Sequence, residues 1–196
     1  MSNEMTAFFD AAAKNWDKTN FIDKNIILSI LEHAFVEKGK SVFDAGCGTG
    51  VLIPFYLQKG VSEIAALDIS GEMLRVAKEK YNDDKIAYIC ADIEQFETDK
   101  KYDCVVVHNA FPHFLNQKAA LKNLSALVKD GGTLTVAHSI SREQVADCHR
   151  NIPHLSVELP EAGTLARMLE NEFTDIQYLS DDKMYIVTGI KRSKND

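Results

Sequence analysis

No apolar run in the chain approaches membrane-spanning length, which argues against a helical membrane protein. Basic residues are in deficit: 22 Lys and Arg stand against 29 Asp and Glu, a net charge of −7. Charge of that sign suits no partner held by phosphate contacts, so neither nucleic acid nor a membrane is expected as a partner. Only four cysteines occur, at positions 47, 90, 104 and 148, and none forms Cys-x-x-Cys. They read as reduced thiols in a cytoplasmic protein. The polar, acidic start from Met1 to Asp10 does not have the form of a signal peptide. No repeat, low-complexity segment or linker breaks the chain, so residues 1–196 read as one domain with room for a real core.

What is present is an alternation of strand and helix patterns. Phe21 to Glu37 carries apolar residues at helical spacing and ends at Gly39. Strands follow at Ser41–Asp44, Glu63–Asp68, Ile86–Ala91, Tyr102–His108 and Thr133–Ala137. Between them lie helical stretches at Gly50–Gln58, Ser70–Tyr81 and Gln117–Val128, with Asp130-Gly131-Gly132 expected to turn the chain into the fifth strand. Ser70 reads as an N-cap, and Ser141-Arg142-Glu143-Gln144 as a capping box opening a short helix to His149. A helix over Glu161–Glu172 and two late strands, Asp175–Leu179 and Met184–Ile190, complete the pattern. Such alternation means an α/β fold, a mostly parallel sheet with helices on both faces, closed by an antiparallel hairpin.

The most specific local signal is Val42-Phe43-Asp44-Ala45-Gly46-Cys47-Gly48-Thr49-Gly50. An apolar run ends in an acid, and three glycines follow at alternate positions. A strand ending in such a turn, with a helix behind it, lets a bulky ligand lie against bare backbone. The third glycine comes one residue too early for the dinucleotide fingerprint, and no Gly-Lys-Ser/Thr follows to make a P-loop.

This run resembles the first motif of class I S-adenosylmethionine-dependent methyltransferases of the small-molecule type (methyltransferase type 11/25-like), and the resemblance extends from Phe8 to Arg192. It implies a Rossmann-like seven-stranded sheet in the order 3-2-1-4-5-7-6. It also implies that Asp44, Gly46, Cys47, Gly48 and Gly50 line the methionine end of the cofactor, Cys47 only as a small side chain in a tight turn. Asp68 would hold the ribose hydroxyls, Ile69 and Met73 would pack on the adenosine, and Asp92 with Ile93 would reach the adenine. In the same family the N-terminal segment, here residues 1–37 with Phe8, Phe9 and Trp16, often folds over the cofactor as a helical lid.

Five of the six histidines fall between positions 108 and 154. Those at 108, 113, 138 and 149 are expected along the carboxyl edge of the sheet, where an α/β fold binds its ligands. Two readings stand. In one, His108, His113, His138 and His149 supply ligands to zinc or another divalent transition metal that activates a thiol or hydroxyl. In the other, one of them, His108 or His138, is a general base or hydrogen-bond partner of the substrate, with His108 also beside the cofactor. No His-x-x-x-His or Glu-x-x-His motif supports the first. Phe111 and Phe114 either line the substrate cavity or join the core.

The expected reaction is methyl transfer from S-adenosylmethionine to a heteroatom of a small molecule, by a monomer or homodimer. Two rivals remain: a non-catalytic metal-binding or sensor protein on the same fold, and a nicotinamide oxidoreductase. Methylation of nucleic-acid amino groups is disfavoured because Asn109-Ala110-Phe111-Pro112 departs from the Asn/Asp-Pro-Pro-aromatic run of such enzymes.

Overall fold

The computed structural model describes residues 2–19, 23–150, 152 and 154–193. The first half of the chain runs α1 (Ser2–Ala12), a 3-10 turn (Ala13–Asn15), α2 (Trp16–Thr19), α3 (Lys24–His33), β1 (Ser41–Ala45), α4 (Ile53–Lys59), β2 (Glu63–Asp68), α5 (Gly71–Lys80) and β3 (Ile86–Cys90). The second half runs β4 (Tyr102–His108), a second 3-10 turn (Phe111–His113), α6 (Gln117–Ala126), β5 (Val128–His138), α7 (Arg142–His149), α8 (Ala162–Leu169), β6 (Phe173–Ser180) and β7 (Tyr185–Lys191). The seven strands form one sheet in the order β3-β2-β1-β4-β5-β7-β6. β1 to β5 pair in parallel, and β7 runs antiparallel to both β5 and β6.

Strand alternation splits the core between the two faces of the sheet. Phe43, Leu67, Val105 and Val107 pack on one face with Leu124 of α6 and Leu165 of α8. Val42, Ile64, Cys104 and Val106 pack on the other with Leu31 of α3, Tyr56 of α4 and Leu74 of α5. Period-two alternation with both sides apolar is what a strand covered on both faces requires. Each fully buried Val or Leu contributes about 1.5–3 kcal/mol, so the central strands are the most firmly held part of the domain.

Local signals place the element boundaries. The Ser70 side chain accepts from the Met73 amide, and the Ser141–Gln144 capping box is formed in both directions. Several boundaries differ from the sequence pattern: α4 begins at Ile53 rather than Gly50, and α8 spans Ala162–Leu169 rather than Glu161–Glu172. α3 begins at Lys24, capped by Asp23, and stops at His33, where Phe35 takes a φ of 54°; Phe21 and Ile22 lie outside the described residues. Asp130-Gly131-Gly132 is not a turn before the fifth strand but an irregularity inside it. β5 starts at Val128, and its register with β4 shifts between the pairs Tyr102↔Val128 and Cys104↔Thr133, with Gly131 at φ 75° absorbing the extra residues. The late strands run two residues earlier and one later than expected, from Phe173 and to Lys191.

Candidate functional site

A cavity of about 320 Å3 opens at the carboxyl ends of β1, β2, β4 and β5. Its floor is the loop after β1. Gly46, Gly48 and Gly50 all have positive φ, and the Gly46 and Cys47 amides donate to the Leu67 carbonyl at 2.8 and 2.9 Å, so the loop is tied to the end of β2. Asp68, at that end, bridges the loop to the next helix. One carboxylate oxygen accepts from the Gly48 amide at 2.8 Å and the other from the Ser70 amide at 2.9 Å. Gly46, Cys47 and Gly48 line the cavity, and so do Asp44, Asp68, Ile69, Met73, Asp92 and Ile93. Gly50 does not. A Cβ there would meet Ile53 and Ala77 at 2.8 and 3.3 Å, so this glycine lets the loop pack against α4 and α5 rather than against a ligand.

Electrostatically the floor is unusual. Asp44 is buried, and its Oδ2 has no hydrogen-bond partner among the described residues. Burial, with the neighbouring Asp68 carboxylate, pushes its carboxyl up to about 8. Burial also raises Asp68, to about 6, against the pull of its backbone donors. Among the described residues no Lys or Arg lines the cavity. Two carboxylates thus face a space that holds no protein cation to pair with them.

The opposite wall is built from the ends of β4 and β5. Asn109, held at φ 55°, donates from Nδ2 to Ser139 Oγ and accepts the Ser139 amide on Oδ1, both at 2.9 Å. Asparagine is one of the few side chains that tolerate this backbone region. The clamp lies just past the ends of β4 and β5, where His108 pairs with Ala137 and His138 follows it. Both histidines are buried, both line the cavity, and the Nε2 of each lacks a partner among the described residues. Burial brings His108 down to about 4 and His138 well below its usual range. An imidazole held so low is a weak proton acceptor at neutral pH, which weakens the general-base role expected for either residue.

His113 and His149 join the same wall, with ring centroids 4.7 Å apart and planes at 82°. The Nδ1–H of His113 donates to the Leu155 carbonyl at 2.8 Å, and burial lowers this imidazole to about 4. The four histidines therefore gather where the sequence places them, but the metal shell expected of His108, His113, His138 and His149 is not formed. Among the described residues no three His, Cys, Asp or Glu side chains are arranged to hold a metal ion.

The N-terminal elements roof the cavity. Met5, Phe8, Phe9 and Trp16 line it, and Phe9 stands edge-on to both Trp16 and His113. Two aspartates latch this segment down. Asp10 accepts from the Ser70 hydroxyl at 2.6 Å and the Glu72 amide at 3.2 Å. Asp17 accepts from the Thr49 hydroxyl and pairs with Lys80 at 2.7 Å. Sequence reasoning singles out the aromatic residues here but neither aspartate, because their partners lie 32 to 63 residues away. Of the two phenylalanines left open, Phe114 lines the cavity and Phe111 is fully buried in the core. All four cysteines are free; Cys47 and Cys148 line the cavity. No described helix is long and apolar enough to cross a membrane.

Residues 43–136 match the family described as "Methyltransferase domain". Among curated relatives, the malonyl-[acyl-carrier protein] O-methyltransferase of Priestia megaterium is 28% identical over 130 residues, 64% of this chain and 47% of that one. Malonyl-[acyl-carrier protein] O-methyltransferase 2 of Ilyobacter polytropus is 26% identical over 186 residues, 92% of this chain and 69% of that one. The chain thus spans about half the length of the first of these relatives. Among solved structures, N-methyltransferase NodS from Bradyrhizobium japonicum, in complex with S-adenosyl-L-homocysteine, superposes with a TM-score of 0.76 at 14% identity, covering 96% of this chain and 99% of that one. Residues 43–136 thus match a methyltransferase domain, and the seven strands run in the order that the resemblance to class I S-adenosylmethionine-dependent methyltransferases implies.

Proposed function

We propose that this protein transfers a methyl group from S-adenosylmethionine to a heteroatom of a small molecule. The observation that carries this reading is the pair of buried carboxylates, Asp44 and Asp68, facing a cavity without a Lys or Arg among the described residues. An orphaned carboxylate oxygen in a buried site calls for a cationic or hydrogen-donating ligand. S-adenosylmethionine carries an ammonium group and ribose hydroxyls that suit Asp44 and Asp68, and when bound it supplies an already activated methyl group. A nicotinamide dinucleotide would bring a pyrophosphate to the same acids, which disfavours the oxidoreductase reading.

The residues then divide the work. Asp44 and the Gly46–Gly48 backbone hold the methionine end, Asp68 the ribose, and Ile69, Met73, Asp92 and Ile93 the adenosine. His108 and His138 orient the acceptor as neutral imidazoles, and the roof excludes water, so most of the rate comes from positioning. Among the described residues, metal assistance finds no ligand set to work through. The single tryptophan of the chain, Trp16, lines the cavity and reports on binding. Titration with S-adenosylhomocysteine is expected to change Trp16 fluorescence and saturate, whereas NADH is expected to leave no saturable change in calorimetry. Tight NADH binding with no response to S-adenosylhomocysteine would overturn the assignment.

Within residues 1–37, the lid proper is α1 and α2. α3 belongs to the domain body, with Ile27, Ile30 and Leu31 fully buried. Asp10→Ala removes the acceptor shared by Ser70 and Glu72 and is expected to loosen the lid by about 1 kcal/mol. Limited proteolysis checks this: cleavage within residues 2–19 should rise about 5-fold while the melting of the domain body stays put. Unchanged cleavage would show that the latch does not hold the lid.

A further inference from the structure

We infer that Asp10 and Asp17 fasten a two-ended latch that gates exchange of the methyl donor: it sets how fast the donor enters and leaves the cavity, not how tightly it is held. The gate rests on the methyltransferase reading above and adds to it how that site opens. Each fastening lies beside one end of the proposed donor site. Thr49 sits between Gly48 and Gly50, in the loop assigned to the methionine end, and its hydroxyl donates to Asp17. Ser70 follows Asp68 and Ile69, assigned to the ribose and the adenosine, and its hydroxyl donates to Asp10 at 2.6 Å. Met5, Phe8, Phe9 and Trp16 of the same N-terminal segment line the cavity. A donor that reaches from one fastening to the other leaves only when this segment lifts.

Helix geometry explains why Asp10 binds where it does. The first amides of a helix have no partner within it. At α5, Ser70 takes the Met73 amide at 3.1 Å as N-cap. Asp10 takes the Glu72 amide at 3.2 Å on the same oxygen that accepts the Ser70 hydroxyl. The N-terminal segment thus supplies half of the cap of α5, and a carboxylate in that place is favoured by the helix dipole. At the far end of the same helix, Lys80 pairs with Asp17 at 2.7 Å. When the segment lifts, water replaces the partners that Ser70 and Glu72 lose, which keeps the latch reversible.

All of these bonds join protein to protein, and none needs the donor to complete it. A latch that makes the same bonds with and without donor adds the same free energy to the closed state in both. That energy cancels from the affinity as long as the closed state predominates. It does not cancel from the rates, because entry and exit both pass through the open state and the latch sets its population. Asp17 and Thr49 line the cavity, whereas Asp10 and Lys80 do not. The latter two can therefore be replaced without removing a contact to the donor.

The test uses the full chain and S-adenosylhomocysteine. Stopped-flow Trp16 fluorescence gives the association and dissociation rate constants, and calorimetry gives Kd independently. Asp10→Ala is expected to raise both rate constants about 5-fold while Kd stays within about 2-fold of the parent. Asp10→Asn keeps an oxygen acceptor for both bonds and should lie closer to the parent than to the alanine variant. Lys80→Met breaks an ion pair whose side chains are 30% and 51% exposed, so it should raise both rate constants by only about 2-fold. Both ends must release for one opening, so the effects multiply, and Asp10→Ala with Lys80→Met should reach about 10-fold. Rate constants unchanged in the double variant would show that the donor passes the latch without opening it. A Kd raised about 5-fold at an unchanged association rate would show that the segment holds the donor rather than gating it. An Asp10→Asn protein as fast as Asp10→Ala would assign the effect to lost charge. Each of these three results overturns the gate and leaves the cofactor assignment standing. A parent protein that does not bind S-adenosylhomocysteine would instead remove the methyltransferase reading on which the gate rests.

Discussion

Gly46→Ala is expected to abolish cofactor binding and to cost about 2–4 kcal/mol of stability, the sum of a side chain forced to positive φ and an overpacked contact. At this residue φ is 73°, and a Cβ would stand 2.4 Å from the Ala110 Cβ, closer than two carbons can approach. Neither neighbour has a flexible end to swing away. Ala110 precedes the buried Phe111, and Gly46 is tied through its amide to Leu67. Relief must come from the loop itself, and moving the loop moves the floor of the cavity. Gly39→Ala is the control. Its φ is 83°, but nothing lies within 4 Å of the added carbon, so it should carry only the backbone penalty of about 1 kcal/mol and leave binding intact. Urea unfolding and S-adenosylhomocysteine titration of both variants separate the two effects. A Gly46→Ala protein that binds as tightly as the parent would show that the loop does not form the cofactor floor.

Asp44→Asn is expected to weaken donor binding about 10- to 100-fold above pH 8, the range for losing a hydrogen bond to a buried charged group. It should also flatten the pH dependence of that binding. The sign follows from linkage. In the free protein the carboxyls of Asp44 and Asp68 lie near 8 and 6, both above the ordinary value of 3.8. A cationic ligand binds the ionised forms, so complex formation releases protons and affinity climbs with pH from about 5 to 8. The donor's own amino group titrates identically against both proteins and cancels in their ratio. Folding runs the other way. Between pH 4 and 8 the native state holds these protons more tightly than the unfolded chain, so their contribution to stability is greatest at low pH and is lost as pH rises through 8. Without ligand, Asp44→Asn should therefore melt higher than the parent at pH 9, while with ligand the order reverses. A variant with lower stability and unchanged affinity would place Asp44 outside the cofactor site. The pattern expected is a residue that destabilises the empty protein in order to bind.

Much of this architecture could be read from the chain because local and global signals agree. Strand ends are marked by Asp68 and His108, and by Asp44 one residue before the end of β1, and helix starts by Ser70 and Ser141, each of which caps with the partner that its spacing implies. Sequence fails where distant backbone decides. Asp130-Gly131-Gly132 has the composition of a turn, yet the Asp103 carbonyl lies only 2.8 Å from where a Gly132 Cβ would be, and β4 keeps the segment in the sheet as a bulge. Gly50 has the spacing of a ligand glycine, but its neighbours are Ile53, Ala77 and Tyr81. The histidines can be assigned to one wall from their strand positions. Whether their nitrogens converge depends on ring orientation, and the hydrogen bond from His113 to Leu155 that orients one of them spans 42 residues. The same holds for Asp10 and Asp17, whose helix positions say nothing of the loops they reach.

Beyond the last paired residues His108 and Ala137, the strand ends stay joined by the Asn109 amide's bond to the Ala137 carbonyl and by the two hydrogen bonds that the Asn109 carboxamide exchanges with Ser139. An aspartate at 109 would keep the acceptor for the Ser139 amide and lose the Nδ2 donor to its hydroxyl, so the rim of the cavity can be retuned there by one side chain without touching the core.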